Sequence, residues 1–303
     1  MPSVPKKDGT QYLDQGVLSR LMAQTLVTPL PMEGSVAGLH KSPHRGSSVE
    51  FAEYREYSPG DDPRLLDWRV YARSDRFYVK EFEAETNLRC YLTLDCSASM
   101  SFESEHGQRL ETGKSIAATL AYLLINQGDA AGLLTVDAKG VDELPARRNP
   151  AHVRNMLSIL AKKKPAKEAD LPKALHEIAE RVRRRALIVV LSDFFCDLPE
   201  LMEAIKHLRF QRHDVSLFHL LDPAELNFSF DRPIRFVDLE GPDNLITEPA
   251  IIRKEYLKQI NAFLDEFRNE CHANGVEYRR VLLDRPYEDV LVSFLSDRAR
   301  KSV

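Results

Sequence analysis

From residue 88 onward, short apolar runs alternate with longer segments in which apolar residues recur every three to four positions. The first run, 88–94 (LRCYLTL), precedes a helical pattern over 109–127; a second run follows at 131–137, with helical patterns at 150–163 and 170–183. This alternation is typical of β-α units wound around a mostly parallel sheet. We therefore predict an α/β fold, a doubly wound Rossmann-type sheet with helices on both faces.

The same alternation continues toward the C-terminal end of the sequence. The run at 186–192 (ALIVVLS) is the most apolar of all, which suits a central strand buried on both faces. The remaining predicted elements are a helix at 198–210, a strand at 214–221, an irregular or hairpin stretch at 225–239, a helix at 249–273, a strand at 276–283 and a closing helix from residue 287.

The first 87 residues differ from the rest of the chain in composition and in the spacing of their apolar residues. A helix is expected over 11–27, and a stretch rich in Pro, Gly and Ser follows it. Aromatic and β-branched residues then alternate with charges around a Pro-Gly turn at 59–60, which indicates a small β-rich subdomain that packs on the sheet domain. The predicted organisation is an N-terminal helix and linker (1–37), the β-rich subdomain (38–86) and the α/β domain (87–303).

Composition excludes several classes of partner and compartment. The 42 basic and 46 acidic side chains give a net charge of -4, so the overall balance does not favour nucleic acid or an anionic membrane surface. The four cysteines show no CxxC spacing, which favours a reducing, cytoplasmic environment over a disulfide framework or a zinc site. No apolar run approaches the length of a membrane span.

The first predicted strand ends in a carboxylate that hydroxyl residues follow. In the sequence LDCSASM, Asp95 is followed by Ser97 and Ser99 at alternate positions. Ligand sites in open α/β sheets form beyond the carboxyl ends of the strands. A loop that turns back on itself would therefore aim a carboxylate and two hydroxyls at one point, and such oxygen ligands suit Mg²⁺ or Mn²⁺.

A second carboxylate stands at the end of the most apolar strand. Asp193 follows the run at 186–192 directly, so adjacent parallel strands would bring it close to Asp95. A divalent ion held there by few protein charges would retain net positive charge and accept a carboxylate from another protein. The residues also have a simpler interpretation, because Asp and Ser are ordinary turn residues that bond their own backbone.

Enzymatic interpretations of the same residues have weaker support. Ser97 lacks the flanking glycines of a nucleophile elbow, and an aspartyl-phosphate mechanism would want a carboxylate where Ser97 stands. Cys96 is more consistent with packing beneath the loop than with nucleophilic attack. A hydrolase that uses Asp95 or Ser97 is kept as an alternative, and no phosphate-binding glycine motif follows the first strand.

Residues 38–83 carry a resemblance that is long and specific. With its REYSPGDDPR, LDW and AR blocks in order, this stretch closely resembles the hallmark of the bacterial "domain of unknown function 58" family, whose members carry a von Willebrand factor A-like domain. The resemblance covers about residues 35–295. It implies a von Willebrand factor A-like form of the predicted sheet and a non-enzymatic interaction protein that partners a MoxR-type AAA+ ATPase in chaperone-like assembly.

The resemblance also implies a metal-ion-dependent adhesion site (MIDAS) that binds magnesium. Asp95, Ser97 and Ser99 match its first motif, and Asp193 matches the aspartate of its later strand. Where such domains usually place a Gly-Thr pair before a helix, this chain has Glu168 and Ala169, so one hydroxyl ligand is missing. The adjacent Asp170 is expected to cap the helix at 170–183. A von Willebrand factor A-like scaffold that binds no metal is therefore a further alternative.

Overall fold

A computed structural model gives the fold of most of the chain. Among the residues it describes, no helix is both long enough and apolar enough to cross a membrane. The described ranges are 9–28, 40–41, 50–57, 66–74, 76–83, 85–86, 88–165, 169–230, 234–237 and 244–301.

The N-terminal part contains short elements. Strands β1 and β4 pair antiparallel, as do β2 and β3, which agrees with the β-rich prediction for this stretch. Helix α2 lies between these strands and was not predicted, and the predicted turn at 59–60 lies outside the described residues. The elements are a 3-10 helix Thr10–Tyr12, α1 Gln15–Leu21, β1 His40–Lys41, β2 Glu50–Glu56, α2 Trp68–Ser74, β3 Tyr78–Glu83 and β4 Glu85–Thr86.

The larger part follows the predicted alternation of strands and helices. Its elements are β5 Arg89–Asp95, a 3-10 turn Ser99–Ser101, β6 Glu103–Ser104, β7 Gly107–Gln108, α3 Arg109–Asn126, β8 Ala130–Asp137, β9 Gly140–Arg147, α4 Pro150–Lys162, α5 Leu171–Arg181, β10 Leu187–Ser192, α6 Leu198–Phe210, β11 Asp214–Leu221, α7 Pro223–Asn227, β12 Ile234–Val237, β13 Asn244–Thr247, α8 Pro249–Ala273, β14 Glu277–Leu282 and α9 Tyr287–Lys301.

A six-stranded sheet in the order β14-β11-β10-β5-β8-β9 forms the centre of this part. All neighbouring pairs are parallel except the edge pair β8–β9, which is antiparallel. Helices pack on both faces. The predicted α/β class and the mostly parallel, doubly wound sheet are confirmed.

Strand β10 shows why the most apolar run lies at the centre of the sheet. All six of its residues are buried, and successive side chains enter opposite cores. Val189 belongs to the core beneath α3, α4 and α9, whereas Val190 belongs to the core beneath α5, α6 and α8. A parallel strand covered by helices on both faces needs apolar residues at every position.

The N-terminal helix is shorter than predicted. Instead of one helix over 11–27, the chain forms the 3-10 helix and then α1, which Asp14 caps by accepting hydrogen bonds from the backbone of its first turn. The chain is not helical over residues 24–28, where the backbone N–H and carbonyl of Leu26 both pair with the side-chain amide of Gln127. The β-branched residues Val27 and Thr28 disfavour helix at this point.

Two further differences concern hairpins. Strand β9 was not predicted; it pairs with β8 through a tight turn in which Asp137 accepts a hydrogen bond from Lys139 N and Gly140 has a φ of 103°. The stretch 225–239, predicted as irregular or a hairpin, begins inside α7 and includes β12, which pairs with β13. Charged residues and a proline interrupt the pattern of β9, and β12 is only four residues long, so neither shows the apolar periodicity on which the predictions depended.

A buried ion-pair network stabilises the end of the sheet where β11 begins. The Arg298 guanidinium is 2% exposed, and its Nη1 lies 2.8 Å from Asp214 Oδ2 while its Nε lies 2.9 Å from Glu277 Oε2. The guanidinium also lies 4.9 Å from the ring centroid of Phe294. Burial on its own would raise the pKa of Asp214, but the charge and hydrogen bonds of Arg298 lower it below its usual range.

We expect Asp214→Asn to lower the free energy of unfolding by about 3 kcal/mol at neutral pH, because it leaves the buried Arg298 charge short of a partner. A carboxylate with a depressed folded-state pKa stabilises the protein above its unfolded pKa and loses that effect as the pH falls through the folded value. The difference between wild type and variant should therefore shrink below about pH 4.

Urea unfolding at neutral and acidic pH measures this difference. Asp289→Asn is the matched control, since its ion pair with Arg20 is exposed and worth at most about 1 kcal/mol. An Asp214→Asn effect that is equally large in acid would contradict the assignment.

Candidate functional site

Strands β5 and β10 are hydrogen-bonded neighbours, and their carboxyl ends bring the two predicted aspartates together. Leu94 on β5 pairs with Leu191 on β10, so Asp95 and Ser192 end their strands at the same level. Ser192 Oγ donates to Asp95 Oδ2 at 2.6 Å. Asp193 follows directly, and both carboxylates are almost completely buried.

The loop after β5 turns back over this point. Ser97 N donates to Asp95 Oδ1 at 2.9 Å, and Met100 N donates to Ser97 O as the chain enters a short 3-10 turn. The hydroxyl oxygens of Ser97 and Ser99 lie 3.0 Å apart. The alternate spacing of the serines thus places both hydroxyls on the side of the loop that faces the carboxylates.

A cavity of about 10 Å³ lies between these side chains, roughly the space needed by one water molecule. The four predicted site residues, Asp95, Ser97, Ser99 and Asp193, all line it. Ala169 lines it as well, at the position where the resemblance implies a hydroxyl ligand. Asp170, next in the chain, caps α5 as expected by accepting a hydrogen bond from Lys173 N.

The two carboxylates repel each other across this cavity. Burial, and after it the negative charge of Asp193, together raise the pKa of Asp95 to about 6, although the hydrogen bonds from Ser192 and Ser97 oppose this rise. A cation between the carboxylates would relieve this repulsion. The electrostatics of the cavity therefore favour a positively charged occupant.

Part of the negative charge is already balanced by Arg109, which sequence reasoning missed. Its guanidinium is 3% exposed, forms an ion pair with Asp193 and donates to Ser99 O at 3.2 Å. Its Nη2 lies 2.6 Å from Glu225 Oε2. Burial alone would lower the pKa of Arg109, but the carboxylates of Asp193 and Glu225 outweigh burial and raise it.

A sequence signal for Arg109 existed in retrospect. Arg109 is the first residue of α3, where the helix dipole disfavours a cation, so an arginine at this position suggests nearby carboxylates. Its burial is visible only in the structure. Glu225 gives no comparable signal. Its carboxylate also accepts a hydrogen bond from Asp222 N in the capping box of α7, an ordinary structural role that hides its contact with Arg109.

The loop after β10 is held by the site residues themselves. Ser192 Oγ accepts a hydrogen bond from Phe194 N, and Asp193 Oδ1 accepts one from Phe195 N. Phe194 is fully buried with a φ of 50°, a left-handed conformation that costs about 1–2 kcal/mol. His219 on β11 packs edge-on against the Phe194 ring and stays neutral, because burial lowers its pKa to about 3.

Two of the groups considered for enzymatic chemistry, Cys96 and Ser97, are not activated as nucleophiles by the described residues around them. Burial raises the pKa of Cys96 to about 12, and its side chain lies beneath the loop as predicted. The Ser97 hydroxyl contacts Ser99 and the Asp95 carboxylate, with no hydrogen bond to a histidine among the described residues. A serine nucleophile needs such a base.

The donor set fits a hard divalent ion, with two departures. No cluster of three or more His, Cys, Asp or Glu side chains suited to a metal occurs within the described part of the chain, so any ion here would rely on hydroxyls as well as carboxylates. Two carboxylates and two hydroxyls around a space for one small occupant are ligands that Mg²⁺ accepts. The departures from a full set of oxygen ligands are Ala169, which supplies no oxygen, and the Arg109 charge on Asp193, and both would weaken the affinity for such an ion.

A family model described as "Protein of unknown function DUF58" matches residues 53–263, more than half of the chain. The chain belongs to the DUF58 family. Membership confirms the family identified from residues 38–83, while the MoxR association stays a prediction.

Relatives from two bacterial genera match the chain to different extents. The uncharacterized protein Rv1480 of Mycobacterium tuberculosis is 25% identical over 293 residues, which cover 95% of this chain and 91% of the relative. The uncharacterized protein YeaD of Bacillus subtilis is 31% identical over 118 residues, which cover 39% of this chain and 27% of the relative.

Solved structures with a similar fold include two with low sequence identity. The conserved hypothetical protein BatB from Bacteroides thetaiotaomicron is 17% identical with a TM-score of 0.46, covering 71% of this chain and 100% of that one. The SpRpn10 VWA domain is 13% identical with a TM-score of 0.42, covering 68% of this chain and 94% of that one.

We expect Arg109→Met to lower the free energy of unfolding by about 3–5 kcal/mol, because it leaves the buried Asp193 carboxylate without its cation. Adding Asp193→Asn should recover part of this loss, since the uncompensated charge is then removed. Urea unfolding of the two single variants and the double variant gives the coupling energy, expected at about 1–3 kcal/mol. Strictly additive effects would contradict the pairing.

Proposed function

We propose that this chain is a non-enzymatic protein-interaction module that binds a carboxylate of its partner at the Asp95–Asp193 site through a magnesium ion. The observation that carries the proposal is the convergence of two buried carboxylates and two hydroxyls on one small cavity at adjacent strand ends. When bound, the ion would supply a Lewis-acidic position for the incoming carboxylate. Asp95, Ser97, Ser99 and Asp193 would hold it, directly or through water.

Two features support weak rather than tight metal affinity. Ala169 removes one oxygen from the lining of the cavity, and Arg109 competes for the Asp193 carboxylate. An ion held by few charged ligands keeps more of its positive charge for a carboxylate from outside. These departures therefore favour an ion that is retained best when the partner contributes a ligand.

The partner we propose is a MoxR-type AAA+ ATPase, acting with this chain in chaperone-like assembly. Family membership supports this partner through the resemblance described above, and the buried thiol and unactivated serine support a non-enzymatic role. The scaffold without metal and the hydrolase that uses Asp95 or Ser97 are the competing functions, and the experiments below separate them.

Ala169→Thr should tighten magnesium binding by about tenfold, because it returns a hydroxyl to the cavity lining. Ala169→Val is the matched control, since it has the same shape without the hydroxyl and should give no gain. Asp95→Asn should abolish binding. Isothermal titration with Mg²⁺ and Mn²⁺ measures the metal affinity of the wild type and of each variant. Equal affinities of the Thr and Val variants would contradict the metal proposal. So would the absence of heat from both the wild type and the Thr variant at millimolar metal.

The Ser97→Ala/Ser99→Ala variant should lose at least about tenfold in affinity for a nucleotide-free MoxR-type ATPase, because both hydroxyl ligands are gone. Ser101→Ala, in the same 3-10 turn, is the control and should bind like wild type. Biolayer interferometry measures both. Equal binding by the double variant would favour the metal-free scaffold, and turnover of an ester or phosphate substrate that Asp95→Ala abolishes would favour the hydrolase.

A further inference from the structure

An apolar groove of about 420 Å³ opens beside the candidate metal site. Its first wall is the loop after β10, Phe194 to Cys196. The second wall is one face of α8, where Tyr256, Ile260 and Phe263 recur at helical spacing. A space of this size accommodates a bulky side chain or two, in the range of pockets that bind small ligands.

The groove and the site are continuous. Phe195 and Cys196 line both the small polar cavity and the groove. Phe195 N donates to Asp193 Oδ1, so a site carboxylate positions the residue that separates the two spaces. Burial, and after it the charge of Glu225, the carboxylate beside Arg109, together raise the pKa of Tyr256, another residue of the groove lining, to about 12.

The Phe195 side chain is exposed to solvent, although the hydrophobic effect favours its burial. Its side chain is 81% exposed, although its neighbour Phe194 is fully buried. The backbone hydrogen bond from Cys196 N to Phe194 O closes a tight turn at Phe195, and that turn keeps the ring at the rim. An exposed large apolar side chain next to an apolar groove is typical of a binding surface.

The floor of the groove packs on the hydrophobic core. The Phe263 ring packs against Phe267, which is fully buried, and Phe194 packs edge-on against the same ring at 5.3 Å between centroids. Phe263 and Cys196 both contact the core beneath α5, α6 and α8. A groove built on a packed core is preformed, so a ligand would not have to order it.

We propose that this groove and the metal site together bind one segment of a partner protein, in which an aspartate or glutamate lies within a few residues of a bulky apolar side chain. The inference rests on the proposed function for its carboxylate. The acidic side chain reaches the ion at the mouth of the cavity, and the apolar side chain crosses the rim at Phe195 and enters the groove. An extended chain advances about 3.3 Å per residue, so neighbouring spaces require neighbouring side chains.

Selection of random phage-displayed short peptides on the wild-type protein, in millimolar Mg²⁺, tests this inference. Enriched peptides should pair an acidic residue with a nearby Phe, Leu, Ile, Met or Trp, and a synthetic copy should bind Phe195→Ser at least about tenfold more weakly by fluorescence anisotropy. Ile260→Asp should give the same loss from the opposite wall. Phe210→Ser is the matched control, because Phe210 is 83% exposed at the other end of α6, and it should bind like wild type.

The outcomes separate this inference from the proposed function. Carboxylate capture is tested by replacing the acidic residue of the peptide with its amide, and by Asp95→Asn; each change should weaken binding. Binding in the groove is tested by Phe195→Ser, which should also weaken binding. If only Phe195→Ser weakens binding, carboxylate capture fails and the groove remains. No enrichment, equal binding by Phe195→Ser, or a wild-type dimer that Phe195→Ser converts to a monomer would overturn the inference. Thermal unfolding verifies that each variant is folded.

Discussion

The burial of two like charges at neighbouring strand ends is the constraint on which the rest of the site depends. Asp95 and Asp193 would not stay ionised side by side in a closed space without positive charge or hydrogen-bond donors nearby. The structure supplies donors from Ser192 and the loop backbone, and one cation from Arg109. That cation enters from the start of α3, so the first crossover helix of the sheet also determines the charge of the site.

The same constraint links the site to its surroundings. Arg109 reaches Glu225 in α7, and the Asp193 carboxylate holds the loop that carries Phe195. The polar cavity, the short helix beyond β11 and the apolar groove are therefore one connected surface rather than separate features. Ligand binding at any of these places would act on the same few hydrogen bonds, which is why the proposed partner segment combines a charge with an apolar side chain.

Membership of the DUF58 family agrees with this arrangement, but it does not explain why the site departs from a complete set of oxygen ligands. Ala169 faces the cavity where a hydroxyl would strengthen an ion, and Arg109 occupies one side of a carboxylate. Both changes lower the net attraction for a metal without dismantling the cavity. Under the proposed function, such a site would suit transient, partner-assisted binding better than permanent metal storage, because each missing ligand would leave a position for an outside oxygen.

The sequence by itself determined most of the order of strands and helices from residue 88 onward, the central place of β10 and the position of Asp95, Ser97, Ser99 and Asp193 at strand ends. These follow from local periodicity, because a strand covered on both faces is mostly apolar and ends near the residues where polar side chains begin. Strand β9 was not predicted because charged residues and a proline interrupt its apolar pattern, and α2 was not predicted because it is only seven residues long. Only the tertiary structure decided that Arg109 and Glu225 meet Asp193, and that a face of α8 completes the groove beside Phe195. Those contacts join positions far apart in the chain, and the packing of whole helices on the sheet, rather than any local pattern, sets their distances.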